Sequence, residues 1–213
     1  MSDRPILFSA PMVRALLAGT KTQTRRVIEP VTGQIQEGDI IVSWPADAPV
    51  RKGLTFRPRF AVGDRLWVKE TWRTHRSWDD HKPSDVIPCS RIWYEAEDRD
   101  NCDQHGRARV SIHMPRWASR LTLTVTDVRV ERLQDISEAD CLAEGAKIAA
   151  NVNLGRGNSL NGVMVETDQP HVLATPRAWY RELWDNINGP GAWDTNPWVC
   201  AVSFEVREGN IDA

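Results

Sequence analysis

Residues 63–72 read GDRLWVKETW, and this stretch decides what kind of fold the chain adopts. Gly63-Asp64 is a turn signal, and the apolar and aromatic run behind it predicts a strand. Side chains along a strand alternate between its two faces. Leu66, Val68, Glu70 and Trp72 therefore share one face, while Trp67, Lys69 and Thr71 share the other. The same alternation fills residues 120–132, RLTLTVTDVRVER, with Leu121, Leu123 and Val125 in one phase and Val128 and Val130 in the other. The slip near Asp127 predicts a β-bulge. Residues 198–206, WVCAVSFEV, alternate again and predict a closing strand.

Shorter elements surround these strands. Residues 5–8, PILF, read as a short strand. Ser9 is placed to cap the helix behind it, and Pro11 falls in the first turn, where a missing N–H costs nothing. Met12, Val13, Leu16 and Leu17 form one apolar stripe, and Gly19 ends the helix. Ser137 with Asp140 is a capping-box-like start for a short helix that Gly145 closes. Thr175-Pro176 opens the last helix, with Trp179, Leu183 and Ile187 on its buried face and Gly189 as its stop. Residues 30–62 are rich in Pro and Gly and predict a loop with one short hairpin. Residues 73–90 and 96–115 are polar and predict surface insertions around a strand at RIWYEA (residues 91–96). Residues 146–170 are Gly- and Asn-rich and predict a flexible excursion.

Five or six mostly antiparallel strands with about three helices, joined by long excursions, predict an α+β fold: a small β-barrel with helices against it. The expected organisation is a single domain over 1–213 with insertions near 30–60, 75–112 and 146–172. The chain has 213 residues, 41% hydrophobic and 26% charged, enough to bury a core without staples. That composition excludes disordered, collagenous and coiled-coil chains. No run approaches the ~18 apolar residues of a membrane span. No secretory signal is read at MSDRPILFSA. Cys89, Cys102, Cys141 and Cys200 form no CxxC pair, so free thiols in a cytoplasmic setting are expected.

The net charge of −2 hides an asymmetry. Residues 1–120 hold 20 Lys and Arg against 15 Asp and Glu, and residues 121–213 hold 7 against 14. The first half either presents a basic face to phosphate or folds against the acidic half and cancels it. Arg supplies 22 of the 27 basic residues and Trp ten of the sixteen aromatics. Both suit stacking and phosphate contact, and both also rise with GC-rich codon usage.

Four places carry candidate chemistry. Glu70 puts a carboxylate on the apolar phase of its strand. It either lines a pocket with its pKa tuned for acid/base work, or pairs with an Arg or solvent at an edge. The run from Gly19 to Arg26, GTKTQTRR, sets Lys21 near Thr24. A desolvated Lys beside a hydroxyl makes a base and nucleophile pair, and Arg25 and Arg26 suit a phosphate or base carbonyl. The competing reading is a solvated basic turn. Arg116, Trp117 and Arg120 interleave in HMPRWASR and suit a base or phosphate contact, or a Trp covering the barrel end. Cys89, Cys102 and His105 fall in one insertion, but only Cys102-x-x-His105 has ligand spacing, so no metal is expected. No GxxxxGK[ST], GxGxxG or HExxH run occurs, and no cofactor is expected.

Gly19-Thr-Lys21-Thr-Gln-Thr24-Arg-Arg26 resembles the GxKxxTxR signature of the ASCH domain family. ILFSAPMVRALLAG before it, GDRLWVKETW after it, the 120–145 segment and AWYRELW…NPWVCAVSFEV follow in the family's order. The arrangement, with SIHMPRWASR and NGPGAWDTNPWV, is similar to ASCH proteins of phages and prophages. The resemblance implies a PUA-like β-barrel in a bacterial host cytosol. It implies RNA or modified-nucleobase recognition, and for small bacterial members an amidohydrolase that deacetylates N4-acetylcytidine. The family's Lys, Thr and Glu map onto Lys21, Thr24 and Glu70. The implied roles are Lys21 as base, Thr24 as nucleophile or water-orienting group, Glu70 as acid to the leaving amine, and Arg26 on the base carbonyl or oxyanion. The alternative is a non-catalytic reader of RNA or a modified base, with Trp72, Trp117 and Arg120 at the pocket rim. A weaker alternative is a ribonuclease.

Overall fold

The computed structural model describes residues 2–32, 34, 36–42, 53–88, 90–97, 104–148, 165–167 and 173–213. Eleven strands and three α-helices lie among them. The strands are β1 (Asp3–Leu7), β2 (Gln23–Val27), β3 (Ile40–Val42), β4 (Leu54–Phe56), β5 (Arg65–Lys69), β6 (Trp72–Arg73), β7 (Trp93–Tyr94), β8 (Leu121–Arg132), β9 (Val165–Glu166), β10 (Leu173–Ala174) and β11 (Trp198–Glu208). The helices are α1 (Ala10–Leu17), α2 (Glu138–Ala143) and α3 (Pro176–Asn188). The fold is mixed α+β. One five-stranded sheet has the order β1-β5-β8-β11-β2, and three two-stranded pairs join β3 to β4, β6 to β7 and β9 to β10.

The chain clusters into two compact units. The first takes residues Met1–Gly19, Val62–Thr126 and Phe204–Ala213, and the second Thr20–Ala61 and Asp127–Ser203. In the first unit β1 runs parallel to β5, with Ile6 opposite Val68, while β5 and β8 run antiparallel, with Leu66 opposite Leu123. The short strand read at residues 5–8 is β1, and its pairing with β5 is parallel. Helix α1 intervenes between β1 and β5, so the connection is a crossover and not a hairpin. Inside α1, Val13 and Leu16 are buried three residues apart on one face. Ser9 stands at the N-cap without a side-chain cap bond, Pro11 sits in the first turn, and Gly19 leaves the helix at φ +70°.

The predicted strand over 65–72 breaks in two. β5 stops at Lys69, and β6 begins at Trp72 and pairs with β7, Trp72 opposite Tyr94. The insertion is not merely surface. Trp72, Val86, Met114 and Ala118 form a buried cluster, with Trp78, Ile92, Tyr94 and Trp117 packed on it. The polar composition hid this core because one fully buried Trp organises it. The predicted strand at 91–96 shrinks to β7, followed by a 3-10 turn at Glu95–Glu97 that packs on α1.

In the second unit β2 lies antiparallel to β11, with Thr24 opposite Val202. A short hairpin, β3 to β4, occupies the loop at 30–62. The capping box of α2 is complete. Ser137 Oγ accepts from Asp140 N at 3.1 Å, the Asp140 carboxylate accepts from Ser137 N, and Gly145 follows at φ +110°. Helix α3 starts with Thr175 Oγ1 accepting from Ala178 N. Its buried residues are Pro176, Tyr180 and Trp184, four apart. Trp179 and Leu183 are only partly buried, and Ile187 is 52% exposed, which corrects the expected stripe. Tyr and Trp present more apolar area than Ile and take the deeper row, with Leu133, Ile136, Cys141, Trp193 and Val199 around them. Strand β8 runs unbroken, buried at Leu121, Leu123 and Val125 and half-buried from Asp127 to Arg132. Most of the 146–172 excursion lies outside the described residues.

Candidate active site

The signature segment builds a buried polar cluster in the second unit. After α1 the chain lies along the end of α2, where Thr22 N donates to Ala143 O at 2.8 Å and Lys21 bridges Glu144. Lys21 is fully buried. Its Nζ donates to Glu144 Oε2 at 2.7 Å and to the Glu144 main-chain oxygen at 2.9 Å. Burial pushes the Lys21 ammonium below its ordinary range, and the Glu144 carboxylate opposes that fall. The other Glu144 oxygen, Oε1, accepts from Arg25 Nη1 at 3.3 Å and from the Tyr180 hydroxyl at 3.4 Å.

Arg25 is the hub of this cluster. Its Nε and Nη2 donate to Glu131 Oε1 at 3.0 and 2.7 Å, its Nη1 donates to Gln23 Oε1, and its Nη2 lies 3.4 Å from Asp140 Oδ2. Burial works against its charge, but the carboxylates prevail and hold its proton more tightly. Gln23 and Arg25 share one phase of β2, so Thr24 and Arg26 take the other. Thr24 is buried, and Arg26 is exposed.

Glu70 belongs to the first unit, is 1% exposed and pairs with an Arg, the second of the two alternatives the sequence left open for it. Its backbone N lies 3.3 Å from the Met114 sulfur. Arg120 grips its carboxylate with both edges of the fork, Nε to Oε1 at 2.9 Å and Nη2 to Oε2 at 3.0 Å. The remaining Arg120 nitrogen donates to Glu97, and the guanidinium carbon stacks 3.9 Å above the Tyr94 ring. Tyr94 is itself fixed, its hydroxyl donating to Ala118 O at 2.9 Å. Burial raises Glu70 above the usual carboxylate range, and Arg120 pulls against it.

The remaining predicted residues fall elsewhere. Trp72, expected at a pocket rim, is fully buried in the core of the first unit, and Trp117 packs beside it. Arg116 ties the ends of the chain in that unit. It donates to Asp3 Oδ2 at 2.6 Å and to Asp212 Oδ2 at 2.8 Å, while Arg65 holds Asp3 from the other side. His105 packs edge-on against Trp93. Cys89 and Cys102 lie outside the described residues. Among the described residues no group of three or more His, Cys, Asp or Glu gathers as a metal site, and no helix is long and apolar enough to cross a membrane.

Sequence reasoning missed Glu144, Glu131, Tyr180, Tyr94 and Glu97. Glu144 had one legible signal. A carboxylate in the last turn of a helix opposes the macrodipole, and such a residue needs another reason to be there. Here it is the Lys21 ammonium. No family model matches the chain, and no curated protein or solved structure matches it either.

Proposed function

We propose that this chain is an amidohydrolase acting on an acylated nucleobase or nucleoside of the N4-acetylcytidine kind, on a PUA-like barrel of ASCH type. One observation carries the proposal: the lysine of the signature is fully buried against a carboxylate. Burying an ion pair is costly, and a solvated basic turn has no need of it. Desolvation moves Lys21 toward the neutral form that a general base requires. In the proposed reaction neutral Lys21 takes a proton from the attacking water, which adds to the acyl carbon. The C–N bond then breaks, the exocyclic amine leaves with that proton and the acyl group leaves as its acid. Thr24 lies on the phase of β2 opposite Gln23 and Arg25, so its role as nucleophile or water-orienting group is the one the resemblance assigns. Lys21 and Thr24 are both buried. Arg26, on the same phase of β2 as Thr24, is the residue to which the resemblance gives the base carbonyl or oxyanion.

The reading as a non-catalytic nucleic-acid reader draws less support. Arg25, Arg116 and Arg120 are engaged by carboxylates of this chain, which leaves less positive charge for phosphate. The test is hydrolysis of N4-acetylcytidine by the purified protein beside Lys21→Ala, Thr24→Ala and Glu70→Gln. Loss of turnover in folded Lys21→Ala and Thr24→Ala supports the proposal, and Glu70→Gln tests the third role the resemblance assigns. A folded wild type without turnover on acylated cytidines overturns it.

A further inference from the structure

The resemblance names Glu70 as the working carboxylate, but the carboxylate bonded to Lys21 is Glu144. We infer that Glu144 is the positioning residue of this site: it fixes Lys21 Nζ in place and sets the pH at which Lys21 gives up its proton. The inference rests on the proposed hydrolase reading for its catalytic meaning, but its geometry stands by itself.

Two contacts define the position of the amine. The Glu144 main-chain oxygen and Oε2 both accept from Nζ, at 2.9 and 2.7 Å. An amine held by two acceptors of one residue has a fixed direction, which a proton-transfer group needs. The acceptor is itself held. Arg25 and Tyr180 both donate to Oε1, leaving Oε2 for Lys21. Thus Glu144 cannot swing away from Nζ without breaking two further bonds.

The charges facing Lys21 come from three elements. Glu144 approaches from the end of α2, Arg25 and Arg26 from β2, and Tyr180 reaches Glu144 from α3. Arg25 and Arg26 disfavour a charged lysine, as does burial, and Glu144 favours it. Removing the Glu144 charge therefore leaves burial and two guanidiniums acting in one direction. With the carboxylate in place, the proton Lys21 takes from the attacking group stays on Nζ, held by the two Glu144 oxygens, until it passes to the leaving amine.

The test has two independent arms. Lysine side-chain carbons are labelled, and the five lysine signals are followed by NMR across pH, with Lys21 identified by its loss in Lys21→Met. Glu144→Gln keeps the size and the main-chain acceptor. Its Lys21 midpoint should fall by about one pH unit or more. Glu144→Asp keeps the charge but shortens its reach, and should fall between the two. Tyr180→Phe removes only a bond to Oε1 and should move the midpoint least. A Lys21 midpoint unchanged in folded Glu144→Gln and Glu144→Asp overturns the inference.

In the second arm, the pH profile of kcat for acetylcytidine hydrolysis should shift to lower pH in Glu144→Gln, with KM little changed. A wild type with no turnover defeats the hydrolase reading alone, because the NMR arm still decides what Glu144 does to Lys21. Turnover with an unshifted profile in Glu144→Gln defeats the positioning role and leaves the hydrolase standing.

Discussion

Arg120 and Glu70 meet fork to carboxylate, with two parallel bonds of 2.9 and 3.0 Å, in a place where the carboxylate is 1% exposed. A bidentate pair of this kind is directional as well as strong. Removing one partner of a buried pair leaves an uncompensated charge and costs about 3–5 kcal/mol. Arg120→Ala is therefore expected to lose about that much in urea unfolding, and a Glu70→Met/Arg120→Leu double variant to lose less. A double variant as unstable as Arg120→Ala, or worse, counts against the pair as the source of the loss.

The same pair sets a pH dependence. Glu70 is raised by burial, so the folded chain holds its proton more readily than the unfolded chain does. The unfolded state then binds fewer protons, and stability falls as pH rises from the unfolded carboxyl value, about 4.3, through the raised folded value. Arg120 restrains this shift, and its loss enlarges it. The Arg120→Ala deficit should be smallest near pH 4 and grow toward pH 7. A flat difference between wild type and variant across that range contradicts the assignment.

Arg116 works in the opposite direction. Its hydrogen bonds, with those of Arg65, hold Asp3 below the ordinary carboxylate range, and Arg116 does the same for Asp212. Stability from these carboxylates is fully present above their unfolded range and is lost as pH falls through the depressed folded values. Arg116→Ala should lower stability modestly at neutral pH, because the pairs are exposed and screened. The deficit should shrink as pH falls through the depressed carboxyl values. A urea-unfolding deficit that stays constant or grows toward acid counts against this account.

Arg25 and Arg26 are neighbours with opposite fates. Arg25→Ala strips a buried guanidinium from Glu131 and Glu144 and should cost about 3–5 kcal/mol. Arg26→Ala removes a side chain that the surface exposes but whose charge is felt by Glu144 and Lys21, and it should cost less than Arg25→Ala. If acylated cytidine is the substrate, Arg26→Ala should raise KM in a folded protein. An unchanged KM removes Arg26 from the site.

Helix α3 offers a packing test. Trp184→Ala opens the cluster around Leu133, Cys141 and Tyr180, and should cost about 3–5 kcal/mol. Ile187→Ala, at an exposed position, should stay within about 0.5 kcal/mol. Equal losses in the two variants would restore the row read from the sequence.

Much of the local structure was legible because it depends on near neighbours. Ser137 and Asp140 are three residues apart, and their reciprocal cap needs nothing else. Strand alternation put Glu70 in phase with Leu66 and Val68, but left open whether it was buried or at an edge. The α3 row was misread because periodicity marks several apolar rows, and the partner cluster chooses among them. The identity of each ion pair was illegible for a stronger reason. Lys21 and Glu144 are 123 residues apart, and Glu70 and Arg120 are 50 apart.

By itself the sequence determined the alternating strands, the caps at Ser137 and Thr175 and the glycine stops, since each follows from backbone geometry over a few residues. Only the tertiary structure decided which charge answers which. It gave Lys21 to Glu144, Arg120 to Glu70, and Trp72 to a core instead of a pocket rim. Burial makes an unpaired charge costly at either end, but the choice of partner is made by strand pairing and helix placement across long stretches of chain.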